Sequence, residues 1–383
     1  MEYTFSFWNY GTFDKYYGDA ETAVKEWKEL GITLGFTFRY EPSPENRKKM
    51  VALLDACARE NMQVILYDAR VFCESYFTDG EDAYRAGVTA AEKDFGKHPA
   101  VWGWYVGDEP NKERIDGYLA AVKIVKELSK KRPFINFYPG GGLQKREYGN
   151  RAAYADALVP FARELPVLAF DRYSQCYASE FEIGWQKFGL DEYFYDLNVF
   201  RATAEKAGVP CWMSALSVGH WNYRTPTIED IRWQIATQCA HGMQGTQWFF
   251  LYQHRWADDY WGYAVQLNGH KTELYYDIAQ ETHSFTARIL SALEGYAFDK
   301  VWHISTAFGD TEKLPETGDG TLSVKAYHRL PGILTRFVSA DGKAKYLLVN
   351  NDQRTPEVFG ITDKTGVEKT IWLPPGGSTI VQA

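Results

Sequence analysis

Two adjacent carboxylates, Asp108 and Glu109, close an apolar and aromatic run from Ala100 to Val106 and are followed at once by Pro110. A run that short and that apolar, bounded by Pro99 and Gly107, reads as a strand buried on both faces. An ionised carboxylate needs water or a partner, so packing gives no reason to end such a strand on two of them. A helix N-cap would use only one. Paired acids suit proton transfer, because one carboxyl can give a proton while a second stays charged beside it. In a parallel α/β barrel, the carboxyl ends of the strands are where such groups meet.

Polar and aromatic residues end the other apolar runs as well. They are Trp8 and Asn9, Arg39, Asp68 and Arg70, Asn136 and Tyr138, Asp171 and Tyr173, Ser217 and His220, and Tyr252 and His254. Trp221, Trp248, Trp256 and Trp261 lie close by in sequence. Flat rings suit the apolar faces of sugars. Carboxylates among them suit cleavage of a glycosidic bond, in which one acid protonates the leaving oxygen and a second carboxylate serves as nucleophile, base or electrostatic partner. The catalytic candidates are Glu109, Asp108 and Asp171. The candidate sugar contacts are Trp8, Arg39, Asp68, Tyr138, Tyr173, His220, Trp221, Trp248, Tyr252 and His254. The histidines lack metal-ligand spacing, and neither a phosphate-cradling glycine loop nor a Ser-His-Asp elbow occurs. No metal and no cofactor is expected.

The elements that position these residues recur with one period. Strands are predicted at 3–9, 32–40, 63–68, 100–106, 134–138, 166–171, 211–216 and 245–252. Helices are predicted near 19–30, 81–96, 113–130, 190–207, 228–241 and 273–294, with a further helix start at Ser43-Pro44. Eight strand–helix units predict an α/β fold, a (β/α)8 TIM barrel over residues 1–296. Beyond about residue 298 short alternating strands appear, at 322–327 and 346–351, separated by Asp-Gly, Asn-Asp and Pro-Pro-Gly-Gly turns. This texture predicts a small C-terminal antiparallel β-sandwich, 297–383, with a packing role.

The 383 residues carry a net charge of −8 and a 16% aromatic share. Without a basic block, neither nucleic acid nor an anionic membrane is expected as a partner. Five cysteines without metal or disulfide spacing read as free thiols. No apolar run approaches the ~20 residues of a membrane span, and no signal peptide is visible at the N-terminus. A cytoplasmic location is expected, or a secreted or periplasmic one where a leader has been removed. Nothing in the sequence specifies the oligomeric state.

Val106-Gly107-Asp108-Glu109-Pro110 resembles the acid/base motif, usually Asn-Glu-Pro, of the large clan of retaining glycoside hydrolases built on this barrel. Leu373-Pro374-Pro375-Gly376-Gly377-Ser378-Thr379 is similar to their terminal sandwich. The resemblance implies an oligosaccharide or glycoconjugate substrate, with Glu109 as general acid/base and Asp108 in the place of the motif's Asn. Arg39 resembles an arginine those enzymes keep beside their nucleophile. That nucleophile is a Glu ending the seventh strand, and here Ala215 or a neighbour stands in its place. Four explanations stay open: a carboxylate from another strand (Asp171 or Asp68), an inverting reaction through water, a Glu-to-Ala replacement, or a substrate-assisted route. For the last, adjacent Asp-Glu also resembles the β-hexosaminidases, where the Asp orients a 2-acetamido group and Tyr173 would hold its oxygen. A catalytically silent carbohydrate-binding barrel is the other reading of the missing acid.

Overall fold

Eight short strands lie parallel in one sheet: β1 (Thr4–Phe7), β2 (Leu34–Phe36), β3 (Gln63–Leu66), β4 (Val101–Asp108), β5 (Arg132–Phe137), β6 (Leu168–Asp171), β7 (Cys211–Leu216) and β8 (Gly245–Phe249). They belong to a computed structural model that describes residues 2–177, 180–183, 186–254 and 259–382. The strand order is β1-β8-β7-β6-β5-β4-β3-β2. Between the two ends of that order, Thr33 N–H donates to the Phe5 carbonyl and Phe5 N–H donates to Thr33 Oγ1, both at 2.9 Å. The sheet is thus a nearly closed barrel.

Helices connect the strands on the outside: α1 (Ala20–Glu29), α2 (Pro44–Arg59), α3 (Glu81–Ala91), α4 (Ile115–Leu128), α5 (Arg151–Ala162), α6 (Leu190–Ala207) and α7 (Ile228–Ala240). A further helix, α8 (Glu273–Phe285), follows β8. Their ends follow local chemistry. Ser43 Oγ accepts the Asn46 N–H at 3.0 Å with Pro44 in the first turn, and α6 stops on Gly208 at φ 76. The barrel interior is packed with rings, as in the contacts of Tyr105 with Trp8, Phe36 and Tyr67 at 5.5, 5.1 and 5.0 Å. It is a core rather than a pore.

Two strands are shorter than their apolar runs. β2 ends at Phe36, and Thr37 then accepts the Tyr67 N–H through its hydroxyl at 2.9 Å. β8 ends at Phe249, where the Phe249–Phe250 peptide is cis. Residues 250–254 therefore lie beyond the strand. No described helix is long and apolar enough to cross a membrane.

The C-terminal part holds two antiparallel sheets. One contains β9 (Tyr296–Ile304), β11 (Gly332–Ser339), β12 (Ala344–Asn350) and β15 (Ser378–Gln382). The other contains β10 (Leu322–Ala326), β13 (Glu357–Asp363) and β14 (Glu368–Leu373). Alternation along each strand divides its side chains. Trp302, Leu334, Leu348 and Phe359 fill the space between the sheets, whereas Val301, Ile333, Leu347 and Val349 join the barrel core. Against α7, Thr335 Oγ1 donates to the Ala240 carbonyl and Trp233 Nε1 donates to Asn351 Oδ1, each at 2.7 Å.

Two buried histidines face each other across this junction. His241 follows α7 and His303 lies in β9, with ring centroids 5.4 Å apart. Burial lowers both from the ordinary 6.5, His303 to about 3, and His241 is lowered further by His303 itself. Above pH 6.5 both are neutral whether the chain is folded or not. Below it the unfolded chain takes up protons that the fold refuses, so stability falls until His303 titrates near 3. Relative to His303→Gln, in which the other titrating groups are unchanged, the wild type should lose unfolding free energy between pH 6.5 and 4.5, by on the order of 1.4 kcal/mol per pH unit, as read by urea unfolding. A wild type and a His303→Gln variant whose stabilities run parallel over this range would contradict the expectation.

Candidate active site

The carboxyl ends of β4, β5 and β6 lie side by side, and Asp108 pairs in register with Asn136. Asn136 Nδ2 donates to Asp108 Oδ1 at 3.1 Å and to Asp171 Oδ1 at 2.9 Å. The backbone carbonyl of Asn136 accepts the Glu109 N–H at 2.9 Å. Glu109 stands one residue beyond β4 at φ 42, a left-handed conformation that costs a non-glycine residue on the order of 1–3 kcal/mol. The turn carries its carboxyl away from β4 to a hydrogen bond with that of Asp171. Two carboxyl groups thus share the Asn136 amide, and the third lies beside Asp171.

They line a cavity of about 300 Å³ with Asn136, Arg172, Pro139 and a wall of rings: Trp8, Tyr10, Tyr138, Tyr173, His220, Trp221, Tyr223, Phe249 and Tyr260. Tyr173 stacks on Phe249 at 5.3 Å, and His220 stacks on Tyr260 at 4.7 Å. His220 and Tyr260 also pair across a short antiparallel ribbon that brings two loops over the mouth. Trp221, 67% exposed and at φ 49, stands at the rim, its Nε1 donating to Asp259 Oδ2 at 2.7 Å. Cavities of this size with apolar walls and a few polar groups hold small ligands.

Burial dominates the electrostatics. It pushes the Glu109 carboxyl well above the usual carboxylate range, with the charges of Asp171 and Asp108 adding to it. Glu109 keeps an open face toward the cavity although protein surrounds it, and water there softens the burial effect without removing its acidic neighbours. Burial, then Asp171, raises Asp108 to about 7. Burial raises Asp171 too, opposed by hydrogen bonds from Glu109 and Asn136 and by the charge of Arg172. Of the three, Glu109 has two acidic neighbours and no cation or amide donor holding its charged form. His220 is lowered by burial to about 4 and is neutral.

The cavity brings together Glu109, Asp108, Asp171, Trp8, Tyr138, Tyr173, His220 and Trp221. Five other sequence candidates lie outside it. Arg39 is on the surface, paired with Glu41 at 2.7 Å. Asp68 is fully buried but bound by Arg70, whose Nε and NH2 reach it at 3.0 and 2.7 Å. Trp248 is wholly buried within β8. Tyr252 donates to Glu26 Oε2 at 3.0 Å, and with His254 it lines a smaller cavity on the far side of Tyr10. These two were placed at the mouth by extending β8 to residue 252, and the strand stops short of them. Trp256 lies outside the described residues. Arg172, adjacent to Asp171 in sequence, instead bonds Asp196 at 3.0 Å and Glu192 at 3.2 Å, both on α6.

On β7, Ala215 is fully buried, and Ser214 Oγ accepts the Trp8 Nε1–H at 2.8 Å. Among the described residues no carboxylate lines the cavity from that strand. Tyr10, Tyr223, Phe249 and Tyr260 were not among the sequence candidates. Their signal was weak, since Tyr10 and Tyr223 end no apolar run and Tyr260 sits in a two-residue strand.

No family model matches the chain, and no curated protein matches it. Solved structures do. A β-galactosidase from the psychrophilic Marinomonas ef1 has 11% identity and a TM-score of 0.55, covering 77% of this chain and 60% of that one. A candidate α-L-fucosidase from Bacteroides thetaiotaomicron VPI-5482 has 19% identity and a TM-score of 0.53, covering 74% of this chain and 94% of that one. The chain thus spans less than two thirds of the β-galactosidase. At these identities the likeness is one of fold.

Replacing Asp171 with Asn removes a like charge from beside Glu109. The Glu109 titration midpoint, read by ¹³C carboxyl NMR, should then move down by about 1–3 pH units. An unmoved midpoint would mean that Asp171 is not its charged neighbour.

Proposed function

We propose that the chain hydrolyses a glycosidic bond of an oligosaccharide or glycoconjugate, with Glu109 as the proton donor and Asp171 as its partner carboxylate. Residues 1–296 carry the chemistry in this reading, and 297–383 brace them. The observation that carries it is the hydrogen-bonded Glu109–Asp171 pair at the carboxyl end of the barrel strands, inside a ring-walled cavity. Glu109 gives its proton to the leaving oxygen as the glycosidic bond breaks, ionised Asp171 favours the positive charge that develops on the sugar, and a water adds its hydroxyl to the anomeric carbon and returns its proton to the pair. Tyr173, Phe249 and Trp221 offer faces for the sugar rings. The cavity's cation, Arg172, is already held by Asp196 and Glu192, so a neutral or amino sugar suits the site better than a uronate.

A second reading has its own support. Carboxyls that flank a sugar in a two-carboxylate reaction stand about 5–5.5 Å or 6.5–9.5 Å apart. Glu109 and Asp171 are in hydrogen-bond contact, which puts them on one side of the substrate. That closeness favours a substrate-assisted route, in which a 2-acetamido group attacks the anomeric carbon and Asp108 or Asp171 orients it.

Glu109→Gln should lower turnover of natural glycans by ~10²–10⁴, and less for substrates with activated aryl leaving groups. Reducing-sugar release and glycan mass shifts across a diverse panel measure it. If wild type and variant both bind a glycan and neither changes it over days, the barrel is a binding module and the reading fails. NMR of early product anomers then separates the routes. Retention confined to 2-acetamido substrates supports assistance, and inversion supports a water-activating carboxylate.

A further inference from the structure

The geometry points to Asn136 as the positioning residue of the acid cluster, the group that decides which of the three carboxyls carries the proton. The inference rests on the reading of Glu109 as proton donor. Position 136 belongs to β5, the one strand flanked by both β4 and β6. Its Nδ2 reaches Asp108 at 3.1 Å and Asp171 at 2.9 Å, and its backbone carbonyl takes the Glu109 N–H at 2.9 Å. One residue therefore contacts all three acids.

The chemistry of an amide fits that place in a way other side chains do not. Asn136 is 3% exposed, and its Oδ1 is buried without a hydrogen-bond partner. Turning the amide over would set that oxygen against two carboxylates, so the orientation is dictated by the acids. An unpaired buried acceptor is a cost that a residue chosen for packing would avoid. A donor hydrogen bond favours the charged form of its acceptor. Asn136 gives its N–H groups to Asp108 and Asp171 and gives Glu109 only a backbone acceptor. The two aspartates are thereby favoured as anions, and the proton is left to Glu109. A neutral donor does this without a positive charge, which would strip the proton from Glu109 as well.

The test is Asn136→Asp, which keeps the shape and removes the donor, with Asn136→Ala as the variant that adds no new charge. Near-ultraviolet circular dichroism and thermal unfolding establish which of them is folded. ¹³C carboxyl titration of the folded variant, without substrate, should show Asp108 and Asp171 titrating at least one pH unit higher than in wild type. On a turned-over glycan, kcat should fall with little change in KM, and the acid limb of the pH–rate profile should move upward by the same interval. A residue that merely supports the fold would lower the melting temperature and leave the carboxyl midpoints in place. Unmoved midpoints in a folded variant overturn the inference. Because the titration needs no turnover, that failure is distinct from failure of the glycosidase reading, which shows as wild type and Glu109→Gln alike leaving every glycan unchanged.

Discussion

Three carboxyl groups gathered at one end of a barrel resist being charged all at once, because each charge raises the cost of the next. Something must neutralise them, share a proton among them or separate them. Elsewhere in this protein buried acids are neutralised. Asp68 is bound by Arg70, which also reaches Asp94 at 2.8 Å, and Asp196 is bound by Arg172 at 3.0 Å. At the carboxyl ends of β4 and β6 the half-buried Asp108 and Asp171 meet the Asn136 amide instead. Arg172 sits next to Asp171 in sequence and yet spends its guanidinium on α6. The fold ties the Arg172 guanidinium to acids on α6 and leaves an amide, not a cation, between the two aspartates.

That arrangement depends on strand order more than on any single contact. Asn136 can bridge Asp108 and Asp171 only because β5 lies between β4 and β6, and only because Asp108 and Asn136 share a register position. The aromatic interior below fixes the strands at that level. The strained turn at Glu109 then moves the third carboxyl across to Asp171. Strain of this kind persists where surrounding contacts over-determine it, and here the Asn136 carbonyl holds the Glu109 amide in the turn. The C-terminal sheets act at a distance, by packing against α7 behind β7 and β8.

Much of this was legible in the sequence, and for physical reasons. Strands buried on both faces are short apolar runs, so all eight barrel strands could be placed. Caps are local chemistry, so Ser43-Pro44 marked a helix start that the structure has at the same residues. The acids at the end of β4 were legible because no packing argument explains two of them. What the sequence did not disclose was where each strand stops. The apolar run after Gly245 continues through Leu251, and nothing in it signals that the ladder ends at Phe249. Tyr252 and His254 were therefore assigned to the wrong side of Tyr10. Nor could adjacency in sequence reveal that Arg172 turns to α6 while Asp171 turns to Asn136, since successive residues at a strand end face opposite ways.

Where the acids lie also weighs on the chemistry. A barrel that cleaves glycosides with two carboxylates usually places them on opposite sides of the sugar. Here Asp108, Glu109 and Asp171 stand together on the β4–β6 side, and the walls contributed by β8 and the loops after β7 are rings and a neutral histidine. Fold alone does not choose among reactions, and neither does the presence of acids. Their distribution does. In the proposed reading, a one-sided cluster concentrates proton-donating power and negative potential on one face of the sugar. It leaves the opposite face to stacking, to water or to a group that the substrate brings with it. In such a site the architecture of the barrel supplies the acid, and the identity of the nucleophile is set by what the ring-lined half of the cavity admits.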